Sequence, residues 1–130
     1  MQVPAGEALR GRRELVVEDE MLVVMELESL LEREGCAIIG PASSVGRALA
    51  LLEQGQVDVA LLDLNLNGEP ATPVAAALTT QGVPFVLVTG YRASQSSEPE
   101  LQNAVRVDKP VDHQDLVRAL TRVLEAASRG

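Results

Sequence analysis

A single α/β domain built on a doubly wound, five-stranded parallel sheet is the fold predicted by this 130-residue sequence. Three observations carry that prediction. Strand-like and helix-like stretches alternate from end to end, and each strand is a near-continuous apolar run, the mark of strands buried on both faces. The length suits one compact domain, and 46% hydrophobic residues suffice for its core. The handedness rule leaves few ways to wind five such βα units.

Leu15-Val16-Val17 opens the series and runs into the acidic triplet Glu18-Asp19-Glu20. Val23, Leu27, Leu30 and Leu31 follow at helical spacing, and Gly35 stops that helix after Glu34. Ile38-Ile39 centres the second strand; Ser43 or Ser44 caps a helix carrying Val45, Ala48, Leu49 and Leu52, closed by Gly55. Val57 to Leu62 is the third strand run, and Thr72-Pro73 supplies an N-cap and first-turn proline for a helix with Val74, Ala77 and Leu78, ended near Gly82. Phe85 to Val88 is the fourth strand, and Val105 with Val107 marks a short fifth. A helix is expected to begin in the serine-rich stretch Arg92 to Pro99 and to be short or mobile. Asp112 and Asp115 start a last helix that turns Leu116, Leu120, Val123 and Leu124 inward. Residues 1–12 are expected to be a loose extension, with the domain spanning 13–127.

Composition excludes several function classes. A net charge of −8 opposes non-specific nucleic-acid binding, which needs a basic footprint. No apolar run is long enough to span a membrane, and the first ten residues lack the apolar core of a secretory signal. A single cysteine, Cys36, fits a reducing cytoplasm and reads as a small buried hydrophobe. Of the 11 basic residues only Lys109 is a lysine, which raises the question of whether a compact ammonium is required there.

In an open parallel sheet, ligands bind beyond the carboxyl ends of the strands. Glu18 and Asp19 follow the first strand, Asp63 ends the third, Thr89 the fourth, and Lys109-Pro110 follows the fifth. Two carboxylates about 5 Å apart repel by roughly 3 kcal/mol at an effective dielectric near 20. Such a group raises its pKa values or binds a cation, and hard oxygen donors suit Mg²⁺. With a neighbouring ammonium, the set suits a phosphoryl group, and an aspartate at its centre can be the nucleophile. For Glu20 a solvated place at a helix start is expected, and the lone His113 reads as exposed in the first turn of the last helix.

The segments LVVEDE (15–20), DVALLDLNLNG (58–68), VTG (88–90) and DKP (108–110) together resemble a response-regulator receiver domain of two-component signalling, over roughly Arg13 to Ala126. The resemblance implies the CheY-like, flavodoxin-like strand order 2-1-3-4-5. It further implies that Asp63 accepts a phosphoryl group from a phosphohistidine on a sensor histidine kinase or phosphotransfer protein. Mg²⁺ would be held by Glu18, Asp19 and Asp63 and by the backbone carbonyl of Asn65. Lys109, after a cis Lys109-Pro110 bond, would pair with Asp63 and then with phosphoryl oxygens, and Thr89 would swing towards them. Phosphorylation would switch a protein-binding face for a downstream partner, in a monomer or a phosphorylation-dependent dimer, without independent enzymatic turnover.

The sequence departs from the family where a switch aromatic is usual, for Arg106 stands there, and Tyr91 is the only tyrosine available to replace it. PFVLVTGY (84–91) partly resembles the subgroup whose fourth strand ends in Phe-Ala-Thr-Gly-Tyr. The alternatives are a metal-dependent phosphatase working through an aspartyl phosphate, a docking receiver that is not phosphorylated, and a flavin or nucleotide binder of the same fold class. The phosphatase wants an acid at the position of Asn65, and the nucleotide binder wants a Gly-rich cradle in place of EDE. DLNLNG also matches the start of an EF-hand loop, but Val74 occupies the place of its bidentate glutamate.

Overall fold

Runs of Val, Leu and Ala become strands here because both of their faces can be covered. The computed structural model describes residues 8–90, 101 and 104–129. Its first half comprises β1 (Arg13–Val17), α1 (Met21–Arg33), β2 (Ala37–Ala42), α2 (Val45–Glu53) and β3 (Val59–Asp63). Then come β4 (Asn65–Leu66), β5 (Glu69–Pro70), α3 (Thr72–Gln81), β6 (Phe85–Thr89), β7 (Arg106–Asp108) and α4 (His113–Arg129). The five-stranded sheet has the order β2-β1-β3-β6-β7, with every adjacent pair parallel. Counted along that sheet alone the order is 2-1-3-4-5, as expected. The helix anticipated from the stretch 92–99, and Tyr91, lie outside the described residues.

Alternation along each strand divides the core into two halves. Val16, Val59, Leu61, Val86 and Val88 face one side, in a cluster with Leu27, Leu31, Leu116 and Leu120. Leu15, Val17, Ala60, Leu62 and Leu87 face the other, with Ala48, Leu52, Val74 and Leu78. Both faces of β1, β3 and β6 are thus buried, which is why Leu15–Val17, Val59–Leu62 and Phe85–Val88 read as apolar runs. The caps follow local chemistry: Ser44 accepts from Arg47 N at 3.1 Å, and Asp112 accepts from Asp115 N at 3.1 Å. Gly82, at φ 71°, closes α3 in the left-handed region.

Several expectations are corrected. The N-cap of α3 is Ala71, which places Thr72 inside the helix. Val24 in α1 and Leu51 in α2 are buried in addition to the expected positions, and Val23 and Leu49 pack against the core partly buried. The supposed loose extension is anchored at its end: Leu9 is fully buried, its carbonyl accepts from Cys36 Sγ at 3.4 Å, and Gly11 N donates to Gly35 O at 2.8 Å. His113 is half-buried, with Nε2 2.9 Å from Glu34 Oε2, so it links the start of α4 to the end of α1. The β4–β5 hairpin was not foreseen. Its turn residues Asn67 (φ 53°) and Gly68 (φ 85°) both take positive φ, the requirement of a tight two-residue hairpin loop and the reason for the Asn-Gly pair.

Candidate functional site

At the carboxyl edge of the sheet the chain leaves its strands with polar residues, and these meet. Glu18 follows β1, Asp63 ends β3, and Lys109 follows β7, its N–H donating to Thr89 O at 2.9 Å. The ammonium lies 3.0 Å from Glu20 Oε1, 3.1 Å from Glu18 Oε1 and 3.3 Å from Asp63 Oδ2. The Lys109-Pro110 bond is cis, as expected.

Burial makes this arrangement unusual. Glu18 and Asp63 are buried, and Glu18 Oε1 accepts no hydrogen bond; the Lys109 ammonium is in ion-pair range of it but not aligned to donate. Burial pushes the Glu18 carboxyl up to about 7, helped by Asp63 and opposed by the Glu20 N–H and by Lys109. Burial also disfavours the Lys109 ammonium, but Glu20, Glu18 and Asp63 outweigh it and hold its pKa above the ordinary lysine value. One ammonium therefore faces several carboxylates, and charge is left over for a cation.

The carboxylates that converge are Glu18, Glu20 and Asp63, with one oxygen from each lying within 4.8 Å of the others. Two placements differ from expectation. Glu20 is an exposed residue at a helix start, the N-cap of α1, as expected, but its side chain makes no cap bond and reaches Lys109 instead. Asp19, expected in the cluster, accepts from Asn67 N at 3.0 Å, so the hairpin turn holds its carboxylate at the rim. Asn65 N donates to Asp63 Oδ1 at 3.1 Å, while its side chain accepts from Gly68 N at 2.7 Å. Oxygen donors of this kind, with an orphaned buried carboxylate oxygen among them, fit a hard divalent cation such as Mg²⁺.

Thr89 is fully buried, and its hydroxyl donates to Asp108 Oδ1 at 3.2 Å rather than towards Asp63. Arg106 Nη2 donates to Leu101 O at 2.6 Å, so the residue in place of the switch aromatic is tied to the backbone. Sequence reasoning missed Glu20 as a member of the site. It also missed an apolar patch beside it: Met21, Leu22 and Met25 on α1 are 65%, 82% and 58% exposed. Three large apolar side chains at the start of a helix, next to an acidic triplet, were the available signal.

Comparison with known proteins agrees with this geometry. The family model for the response regulator receiver domain matches residues 15–121. Sensory transduction protein LytT of Bacillus cereus is 34% identical over 111 residues, covering 83% of this chain and 45% of LytT. The chain thus spans less than half the length of that relative. Among solved structures, SdrG from Sphingomonas melonis Fr1 superposes with a TM-score of 0.80 at 38% identity, covering 90% of this chain and 98% of SdrG. The BeF3-activated conformation of SdrG superposes at 0.72 with 36% identity, covering 86% and 95%. No helix among the described residues is long and apolar enough to cross a membrane. A carboxylate-and-lysine pocket on the strand ends of a 2-1-3-4-5 sheet, together with a family match over most of the length, identifies the chain as a member of the response regulator receiver domain family.

Proposed function

We infer that this domain is a phosphoacceptor in a two-component phosphorelay, with Asp63 as the acceptor. The observation that carries this reading is the placing of Lys109 Nζ 3.3 Å from Asp63 Oδ2 in a pocket that also buries Glu18. An Asp63 oxygen attacks the phosphorus of a phosphohistidine; the P–N bond breaks as the O–P bond forms, and the imidazole leaves with its electron pair. Asn65 N–H holds Asp63 Oδ1, which leaves Oδ2 on the Lys109 side to react. Lys109 then follows the new negative charge. Mg²⁺, when bound, neutralises charge on the transferring oxygens, and Glu18, Asp63, the Asn65 carbonyl and a reoriented Asp19 are the residues to hold it.

Thr89 must exchange Asp108 for the phosphoryl oxygens, and that exchange is the switch, biasing the face formed by β7 and α4 towards a downstream protein. With Arg106 in the aromatic position, Tyr91 takes over the report of the Thr89 movement. Tyr91→Ala should then change partner affinity while labelling of Asp63 persists; unchanged affinity in both states would refute that role. The exposed Met21, Leu22 and Met25 suit docking of the phosphodonor protein, since they lie beside the residue that caps α1 over the pocket. Steady phosphatase turnover is disfavoured because position 65 offers an amide and no acid. Mass spectrometry after treatment with acetyl phosphate and Mg²⁺ should find one phosphoryl group on the wild type and none on Asp63→Asn. Equal labelling of both would reject the assignment.

A further inference from the structure

The chemistry just described leaves Glu20 without a task, yet it makes the shortest contact to the site's ammonium. Glu20 Oε1 lies 3.0 Å from Lys109 Nζ, against 3.3 Å for Asp63 Oδ2. Its side chain is 62% exposed, while those of Glu18 and Asp63 are 1% and 8% exposed. Glu20 is thus the member of the cluster free to leave without breaking the core. Its backbone is fixed, since its carbonyl accepts from Val24 N at 2.9 Å as α1 begins. Its side chain makes no cap bond, and the ion pair with Lys109 draws it over the pocket.

We propose that Glu20 is a positioning residue that competes with the incoming phosphoryl group for Lys109 while adding its charge to the cation site. Both effects follow from one carboxylate. A phosphoryl group on Asp63 needs the same ammonium and carries the same sign of charge as Glu20, so Glu20 must swing outward before Lys109 can follow the phosphoryl oxygens. Before that step, one Glu20 oxygen lies within 4.8 Å of oxygens from Glu18 and Asp63, where it attracts a divalent cation. The same residue therefore favours the metal-loaded resting state and disfavours the phosphorylated one. The inference rests on Asp63 being the acceptor.

The test uses Glu20→Gln, which keeps the shape and removes the charge. Calorimetric titration with MgCl₂ alone should show weaker binding, by about two- to five-fold, the range of an exposed ion pair. At saturating Mg²⁺ the variant should bind beryllofluoride, a phosphoryl mimic, more tightly by a similar factor, followed by ¹⁹F NMR. Both differences should shrink as salt is raised, because Glu20 is exposed; a change in shape alone would not respond to salt. Opposite signs in the two titrations are the expected signature. Shifts of the same sign, or none, overturn the role of Glu20 while wild-type labelling of Asp63 stands. A wild type that neither binds beryllofluoride nor is labelled overturns the acceptor reading, and this inference with it.

Discussion

The Thr89 hydroxyl and the Asp108 carboxylate join the ends of β6 and β7 by a hydrogen bond of 3.2 Å, with Thr89 fully buried. This bond holds the hydroxyl away from Asp63, so it is a restraint on the resting state. Removing it should ease the switch. A hydrogen bond to a charged group contributes roughly 1.5–3 kcal/mol, and solvent at the exposed Asp108 reduces that to about 1 kcal/mol. Asp108→Ala should therefore tighten beryllofluoride binding by about five-fold. Weaker binding would show that Asp108 supports the switched state instead.

Asp63→Asn should raise stability while abolishing labelling. The substitution removes one of the clustered carboxylates and leaves Lys109 paired with Glu18 and Glu20. Functional pockets that crowd like charges commonly give up stability to do so. In Mg²⁺-free buffer the variant should gain about 1 kcal/mol in urea unfolding. Added Mg²⁺ should stabilise the wild type more than the variant, because the variant has lost a cation ligand.

Glu14 makes stability depend on pH. It is fully buried on β1, neither of its carboxylate oxygens has a hydrogen-bond partner, and burial, with Asp58 adding to it, pushes its carboxyl up from 4.5 to about 8. The folded state therefore holds a proton that the unfolded chain releases near 4.5. The stabilising contribution is complete below that value, falls as pH rises between the two, and is lost above about 8. Each unit corresponds to about 1.4 kcal/mol, so the loss across the window is on the order of a few kcal/mol. Glu14→Gln should flatten the slope, and the difference between the proteins isolates Glu14 from Glu18. Parallel pH profiles in urea unfolding would contradict the assignment.

Gly68 tests the hairpin. A Cβ added there meets nothing within 4 Å, so the cost of Gly68→Ala is purely conformational, set by φ at +85°. About 1–2 kcal/mol should be lost in equilibrium unfolding. Because the neighbouring Asn67 N–H holds Asp19, Mg²⁺ affinity should change as well. A neutral substitution would mean that the turn has another geometry in solution.

Much of this domain is determined by local sequence. Apolar runs separated by helical periodicity were enough for the parallel sheet, and they delivered Glu18, Asp63, Thr89 and Lys109 to one edge. The lone lysine and the acidic residues are therefore read together from the sequence alone. What the tertiary structure decided is which of three successive acidic side chains turns inward. Glu18, Asp19 and Glu20 are chemically similar, and their assignment depends on a backbone N–H supplied from the hairpin 48 residues away and on the Lys109 ammonium brought in beyond β7. The Asn67-Gly68 turn signal was present in the sequence, but the adjacent Asp and Asn residues also suited a metal-binding loop, and strand pairing resolves the two. Leu9, Glu14 and His113 likewise take their burial and partners from distant elements. Periodicity reports which face of an element is apolar; it carries no information on the long-range packing that closes over a charged residue or pairs it.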